Sequence, residues 1–395
     1  MKFTNKRIRI ELILKDMKIR GLIILFIITV IGCREEIILD SNYNSQLLVV
    51  DGSITNKPGP YKISLSITSI VRDPQNIPFT GCTVIIHEDS GSSEVLTELE
   101  PGNYYTSASG TQGKIGFSYR ISILTSDGKE YESDFCEMKE PIEIDSLYVD
   151  TTNVARQGYV FGLPGYQFYT NSKTAQTPDN YFLWQITETY KYNANNRLHA
   201  LYKYGKIYVQ NIDTVLGYDT LKTCWKTEKV KNIFTGKTSN LSVPKITNQP
   251  LHFVGTDSKR LGERYSFLLE QLTIDEETYT FWQKIQEQIS QENILLAKQP
   301  YNILGNIRNV NDQSETVLGY FTVASVDQKR MYINKINKPF YFSTCDIGTD
   351  LSNMFKVAGP IYLVLTEEGL GKVHPDCIDC RSEGGDIKKP SFWID

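Results

Sequence analysis

Tyr61-Lys-Ile-Ser-Leu-Ser-Ile67 alternates apolar and polar residues without interruption. Successive side chains of a β-strand point to opposite faces, so the four apolar residues of this run would share one buried face. Comparable short runs recur from Gln46 to Glu140, separated by turn sequences such as Asp127-Gly128. This pattern predicts a small β-sandwich over residues 46–140, and the strand order resembles that of immunoglobulin-like or prealbumin-like modules.

A larger β-rich domain is expected over residues 145–395, after a boundary near Pro141–Asp145. Its best strand candidate is Tyr181–Tyr190, in which alternate residues are large and apolar. The fold class is therefore mainly β. Further strands are expected at Arg264–Glu270, Val317–Ser325 and Arg330–Ile336, before a Cys-rich tail at residues 374–393.

One amphipathic helix is predicted at about residues 273–297. Thr273-Ile-Asp-Glu276 resembles a capping box, in which the Thr hydroxyl and the Glu carboxylate each satisfy a free backbone N–H. Apolar residues, among them Tyr279 and Trp282, then recur at helical spacing. An aromatic stripe of this kind favours packing in the core over ligand binding.

The segment Met17–Cys33 has the organisation of a secretory signal peptide. Two basic residues precede an apolar run from Leu22 to Ile31, which is shorter than the roughly 20 residues that a bilayer core requires. Val30-Ile-Gly-Cys33 resembles the bacterial lipobox. We therefore expect residues 1–32 to be a signal peptide and the Cys33 thiol to carry a diacylglycerol.

The residues around this segment refine the prediction. Glu11 and Asp16 are unusual at the start of a signal peptide, so we expect translation to begin at Met17. Residues 33–45 would form a lipidated tether. Within it, Arg34-Glu-Glu36 resembles the signal that sends Bacteroidetes lipoproteins to the outer cell surface, although a solvated charge cluster is the alternative. The expected location is the outer membrane, through the lipid on Cys33, with the protein facing the exterior.

The charge balance argues against one class of partner. Removing residues 1–32 takes away seven Lys or Arg and two Asp or Glu, so the formal charge changes from −4 to −9. Nucleic-acid binding requires basic patches that face phosphates, so we expect no nucleic-acid partner. The 363 residues that remain of the 395 suit two or three domains.

Six cysteines remain besides Cys33, an even number that suggests disulfides in an exported protein. Cys82 and Cys136 both fall in the predicted N-terminal sandwich, and we expect them to pair with each other. The sequence leaves the pairing of the other four open. The disulfide candidates are Cys82, Cys136, Cys224, Cys345, Cys377 and Cys380.

Two alternatives exist for the cysteines of the tail. His374-x-x-Cys377-x-x-Cys380 has the spacing of half a zinc site, which Cys224 or Cys345 would complete. A thioredoxin-like redox role is less favoured, because a redox Cys-x-x-Cys normally opens a helix after a strand. We predict neither a metal nor a cofactor.

The sequence carries no signature of catalysis. None of the four histidines falls in a Ser/His/Asp pattern, and the chain has no Gly-x-Ser-x-Gly elbow, phosphate-binding loop or His-Glu-x-x-His motif. A glycosidase whose two carboxylates are distant in sequence is the remaining hydrolase alternative. We therefore predict no catalytic residue and no enzymatic activity.

Tyrosines cluster at several places in the C-terminal half. Tyr anchors many protein interfaces, because it buries a large apolar area while keeping a polar end. Packing on a sheet is the alternative for each residue. The candidates for contact with a ligand or partner are Tyr166, Tyr169, Tyr190, Tyr192, Tyr202 and Tyr204.

Four motifs together resemble one family of Bacteroidetes lipoproteins, the domain of unknown function 4249, over about residues 33–393. They are Val50-Asp-Gly-Ser-Ile54, Cys224-Trp225, Leu318-Gly-Tyr-Phe321 and a tail in which Cys377-x-x-Cys-Arg381 precedes Gly-Gly and Pro390-x-Phe-Trp393. Members resemble outer-membrane lipoproteins encoded beside TonB-dependent receptors. The resemblance thus implies a TonB-dependent β-barrel as a partner, and it supplies no catalytic residues.

These observations favour a non-catalytic surface lipoprotein that assists a TonB-dependent outer-membrane receptor. A free-standing glycan- or peptide-binding lipoprotein is the alternative, and a hydrolase is less favoured. Convergent acids or a histidine with a shifted pKa in a pocket would point to the hydrolase.

Overall fold

The computed structural model of the protein describes residues 46–69, 75–209, 221–239, 241–291, 302–334, 345–356 and 359–394. The predicted signal peptide, Cys33 and the predicted tether lie outside the described residues. From Leu47 onward the chain forms one compact unit, built mainly from β-strands as the sequence predicts.

The strands are numbered in chain order. The first twelve are β1 (Leu48–Thr55), β2 (Lys62–Ile67), β3 (Ile77–Pro78), β4 (Thr83–Glu88), β5 (Ser93–Val95), β6 (Thr97–Glu100), β7 (Asn103–Tyr105), β8 (Ser118–Leu124), β9 (Glu130–Ser133), β10 (Cys136–Glu137), β11 (Ile144–Arg156) and β12 (Tyr159–Ser172). The others are β13 (Tyr181–Asn193), β14 (Ala200–Lys203), β15 (Lys206–Tyr208), β16 (Thr223–Lys229), β17 (Phe234–Lys237), β18 (Gln249–Gly255), β19 (Arg264–Ile274), β20 (Ile307–Asn309), β21 (Leu318–Asn334), β22 (Ile361–Thr366) and β23 (Gly369–Val373).

The largest sheet contains strands from both ends of the chain. Its main path runs in the order β16-β13-β19-β21-β1-β2-β7-β6. β1 is parallel to β21, from Val49 opposite Leu318 to Thr55 opposite Ala324. The sheet therefore crosses the boundary expected near residues 141–145, and the division into domains on either side of it stays a prediction.

The two strands expected at residues 317–325 and 330–336 form one continuous strand, β21, over Leu318–Asn334. β1 pairs with its first part, and β19 pairs with its second part from Ser325 to Asn334. Because β19 continues the pairing across Asp327 and Gln328, these polar residues stay extended instead of forming a turn.

The N-terminal half has a sandwich core, which confirms the predicted alternation. Val50 and Ile63 of the large sheet face a six-stranded sheet, whose Ile86 and Ile121 are also fully buried. The main path of this sheet is β20-β9-β8-β4-β5, and β10 pairs with β8. Fully burying an aliphatic side chain of this size stabilises a protein by about 1.5–3 kcal/mol. This core therefore holds the two sheets together.

A second core lies between β13 and β19 of the large sheet and the three-stranded sheet β11-β12-β18. The rings of Phe168 and Phe267 stack with their centroids 4.0 Å apart. Trp184, also buried, donates from Nε1 to Oε1 of Gln271 at 3.0 Å. The strand predicted at Tyr181–Tyr190 is confirmed as the centre of this core.

The described residues contain one α-helix, α1 (Glu276–Gln291), and the rest of the predicted range after Gln291 lies outside them. The expected Thr273 cap is wrong. Asp275 caps the helix, because its Oδ1 accepts from the Thr278 N–H at 2.7 Å, whereas Thr273 Oγ1 accepts from the Ile142 N–H. Tyr279 packs in the core as predicted. No described helix combines the length and the apolar composition that a membrane span requires.

Gly319 allows β21 to approach β1. Its φ is +90°, and a Cβ at this position would overlap the carbonyl oxygen of Val50. Both the backbone conformation and the close approach exclude a side chain.

We expect Gly319→Ala to lower the free energy of unfolding by about 3 kcal/mol or more, measured by urea denaturation. Gly128→Ala is the matched control, since Gly128 has a φ of +86° but open space around it. The control should lose only about 1–2 kcal/mol, the conformational cost of a left-handed residue. Equal losses in the two variants would refute the close-approach explanation.

Candidate functional site

The β11–β12 hairpin extends beyond the third strand of its sheet. β11 and β12 pair along almost their whole length, up to Arg156 opposite Tyr159. β18 pairs with β12 only between Gly165 and Thr170. The outer part of the hairpin, residues 153–164, is therefore a two-stranded ribbon, which we call the ribbon tip.

The ribbon tip exposes two adjacent large apolar side chains. Val160 is 93% exposed and Phe161 is 88% exposed. Soluble proteins bury most large apolar side chains, so a pair this exposed at the end of a projecting element is a candidate interaction site. Val154, also exposed, lies on the neighbouring strand two residues before Arg156.

Three contacts shape the ribbon tip. Gly162 has a φ of +78°, and a Cβ there would crowd the carbonyl oxygen of Val154. Arg156 Nη1 lies 2.6 Å from Oδ2 of Asp257, a residue just after the end of β18. Asn153 Nδ2 also donates to the carbonyl oxygen of Phe161 at 3.1 Å. These contacts fix a bend in the ribbon tip, so that Val160 and Phe161 are held in defined positions.

Of the six tyrosines predicted to contact a ligand or partner, three have side chains with enough exposed surface for such a contact. Tyr166 and Tyr169 lie half-buried on β12, and Tyr169 stacks on Tyr148 of β11 with ring centroids 5.4 Å apart. Tyr204 is 74% exposed at the turn between β14 and β15. A contact role for these three stays a prediction.

The structure contradicts a contact role for Tyr190, Tyr192 and Tyr202, because all three are buried. Tyr190 and Tyr192 belong to the core beneath the three-stranded sheet. Tyr192 OH donates to the carbonyl oxygen of Cys380 at 2.5 Å, so its polar end is satisfied inside the protein. Side chains without exposed surface cannot stack on a partner.

Two disulfides attach the tail to the body. Cys224 of β16 is bonded to Cys380, with Cα atoms 5.7 Å apart, and Cys345 is bonded to Cys377, with Cα atoms 5.9 Å apart. The two cysteines of the Cys-x-x-Cys motif thus bond to different partners. This arrangement overturns both the zinc alternative and the redox alternative. Among the described residues no group of three or more His, Cys, Asp or Glu is arranged to hold a metal ion.

The expected pairing of Cys82 with Cys136 is wrong, since both are free thiols. Thr83, next to Cys82, lies opposite Leu124 of β8, whereas Cys136 lies opposite Tyr119 on the other edge of that strand. Five residues of strand separate these positions by about 17 Å. A disulfide requires Cα atoms within about 7 Å, so the two cannot meet.

A buried polar cluster lies in the second core. Glu188 of β13 is only 2% exposed and accepts a hydrogen bond from Tyr265 OH at 2.7 Å. Arg260 Nε lies 3.3 Å from its other oxygen. Burial raises the pKa of Glu188, while Arg260 opposes the shift. A carboxylate with a raised pKa is a candidate acid or base in an enzyme, so its surroundings matter.

The surroundings of Glu188 favour a structural role. His252 of β18 lies 3.8 Å from Glu188, but burial and Arg260 lower the pKa of its ring to about 4, so the two do not form an ion pair at neutral pH. The members come from four different elements and fill the space between two sheets. The cluster therefore joins β18 to the large sheet, and it lines neither the groove between Glu88 and Lys114 nor the larger groove beside the start of α1.

The larger groove has a volume of about 810 Å3, within the range of small-molecule sites. It lies between the chain after β10, the loop before β13 and the start of α1. Lys139 and Lys173 on its rim pair with Glu137 and Glu143. Its lining favours a cationic ligand over an anionic one. The lining acids are Glu137, Glu140, Glu143, Asp179, Asp275 and Glu276.

His252 predicts a pH dependence of stability. Because the pKa of His252 is lowered from 6.5 to about 4 in the folded protein, the unfolded chain binds a proton at a higher pH than the folded protein does. Lowering the pH therefore stabilises the unfolded state relative to the folded state. Between pH 7 and pH 4 this should remove on the order of 3 kcal/mol of unfolding free energy. We expect His252→Gln to lack that loss in urea denaturation at the two pH values.

His374→Gln is the control for replacing a histidine as such, because His374 is exposed on the tail. Glu188 acts in the opposite direction, since a raised carboxyl pKa costs stability as the pH rises through it. The difference between variant and wild type at each pH therefore isolates His252. The same loss in His252→Gln and wild type would contradict the assignment.

A family model described as a domain of unknown function (DUF4249) matches residues 34–330. The match covers about three quarters of the 395-residue chain and takes in β1 to β20 and most of β21. A comparison with curated proteins found no match. The disulfide-bonded tail lies beyond the matched segment. Because the match covers most of the chain, the chain belongs to the family of the domain of unknown function 4249.

Proposed function

We propose that this protein is a non-catalytic, lipid-anchored surface protein that docks on an outer-membrane β-barrel receptor through the ribbon tip. The observation that carries the proposal is the exposure of Val160 and Phe161, at 93% and 88%, on a bent and braced hairpin. A binding surface needs apolar area that is preorganised and accessible, and this tip provides both.

The size of the tip suits an anchor that enters a pocket. Burying a Val or Phe side chain stabilises a complex by about 1.5–3 kcal/mol each, before the cost of association. A few buried anchors carry most of the energy of a typical interface. Two such residues at the end of a narrow ribbon can enter a cavity between receptor loops. A flat surface could not enter such a cavity.

The chain before Leu48 supports a position close to such a receptor. In the lipoprotein interpretation, Cys33 carries the lipid and about 14 residues separate it from β1, which at roughly 3.3 Å per residue reach up to about 50 Å. The resemblance to lipoproteins encoded beside TonB-dependent receptors supplies the class of partner. Tethering raises the effective concentration of the tip at the membrane, so modest contacts suffice.

The buried polar cluster supports the non-catalytic part of the proposal. Glu188 and His252 have the shifted pKa values that active sites often show, but Glu188 is sealed between two sheets with its oxygens already contacted by Tyr265 and Arg260. A general acid or base must lie within hydrogen-bonding distance of its substrate. The arrangement of this cluster therefore favours a role in packing over a role in catalysis.

The test is capture of the partner from crosslinked outer membranes with tagged wild type and with Val160→Ser/Phe161→Ser. Val95→Ser/Leu99→Ser is the matched control, because these residues are also exposed apolar side chains but lie at β5 and β6. We expect a stoichiometric β-barrel with wild type and control, and at least a tenfold lower yield with the tip variant. Mass spectrometry identifies the barrel.

Equal capture by the tip variant would show that the partner binds elsewhere on the protein. Recovery of the lipoprotein alone would refute receptor docking and favour a free-standing binder of glycans or peptides. The larger groove would then be the place to test, with cationic peptides against neutral oligosaccharides in titration calorimetry.

A further inference from the structure

The β14–β15 hairpin presents a second exposed aromatic surface, distinct from the ribbon tip. Tyr204 is 74% exposed, and Ile207, Tyr208 and Val209 are also exposed. We call residues 203–209 the basic hairpin. Four large apolar side chains within six consecutive residues are thus exposed, at the turn and on both faces of the hairpin.

The basic hairpin is positively charged on an acidic protein. Lys203 and Lys206 lie on either side of its turn, and residues 198–209 contain no Asp or Glu. Neither ammonium group forms an ion pair with another described residue. Lys203 Nζ instead lies 5.0 Å from the centroid of the Tyr204 ring. Since the formal charge of the chain after residue 32 is −9, this local excess of positive charge contrasts with its surroundings.

The basic hairpin has a tight turn and a buried base. Lys203 pairs with Lys206 across a two-residue turn, in which Tyr204 has a φ of 49° and Gly205 a φ of 74°. Ala200 and Tyr202 at its base are buried in one cluster with Met354 and Leu363. The exposed aromatic and basic groups are thus fixed on a rigid support.

The β22–β23 turn of the same sheet carries two adjacent acids. β14 runs antiparallel to β22, with Tyr202 opposite Ile361 and Ala200 opposite Leu363. The turn of β22–β23, which contains Glu367 and Glu368, therefore lies at the other end of the sheet. Lys203 and Lys206 are thus separated from these two carboxylates by the length of the strands.

We propose that the basic hairpin is a contact site for an anionic lipid surface. Tyrosine rings concentrate at the level of lipid headgroups, lysines are attracted to anionic headgroups, and the aliphatic side chains insert below them. An acidic body would be repelled by such a surface, so a local patch with both features is needed to approach it. The site acts independently of receptor docking through the ribbon tip.

The test uses the unlipidated chain that begins at residue 34, which retains the whole compact unit from Leu47 onward. Binding is measured by cosedimentation with vesicles of equal parts phosphatidylglycerol and phosphatidylcholine, and with vesicles of phosphatidylcholine alone. We expect binding to the anionic vesicles only, and loss of that binding as the salt concentration rises. Lys203→Gln/Lys206→Gln should weaken it about tenfold or more, given the two charges removed.

Tyr204→Ser/Tyr208→Ser should also weaken vesicle binding, whereas a purely electrostatic contact would leave it unchanged. Val160→Ser/Phe161→Ser is the control and should bind vesicles like wild type while losing the receptor, so the two proposals fail separately. Matched thermal unfolding of all variants excludes misfolding. Absence of wild-type binding to anionic vesicles, or equal binding by the lysine variant, would overturn the proposal.

Discussion

The parallel pairing of β1 with β21 is the contact on which the rest of the structure depends. It joins residues about 270 positions apart, so the chain must close a long loop before the large sheet exists. β21 then presents its second part to β19, β19 pairs with β13, and the face of these strands carries the sheet that ends in the ribbon tip. Asn56 Oδ1, which accepts from the Val326 N–H at 2.8 Å, reinforces the same junction.

The four motifs that carry the family resemblance meet at two junctions. Val50–Ile54 and Leu318–Phe321 lie side by side, with Val50 opposite Gly319, which explains why a glycine stands in the second motif. Cys224-Trp225 meets the tail through the disulfide to Cys380 and an edge-to-face contact with Trp393. Motifs that are distant in sequence thus form the two places where the ends of the chain are attached to the body.

The strands could be predicted because alternation is local, and the buried faces of Tyr61–Ile67 and Tyr181–Tyr190 followed from it. Register between distant strands is not local, which is why the pairing of β1 with β21 and the separation of Cys82 from Cys136 were missed. Tyr190 and Tyr192 looked accessible because alternation does not reveal that β13 is covered on both faces. The signal for the ribbon tip was present, as the apolar pair Val160-Phe161 two residues after Gly158, but only the pairing pattern shows that it projects.

The central claim is that the ribbon tip enters a receptor, and site-specific photocrosslinking in intact cells tests it most directly. A photoreactive phenylalanine analogue would replace Phe161 in one strain and Leu99 in another. The account predicts an adduct with a β-barrel outer-membrane protein from position 161 and none from position 99. A folded, surface-located protein that gives no barrel adduct from position 161 would contradict it.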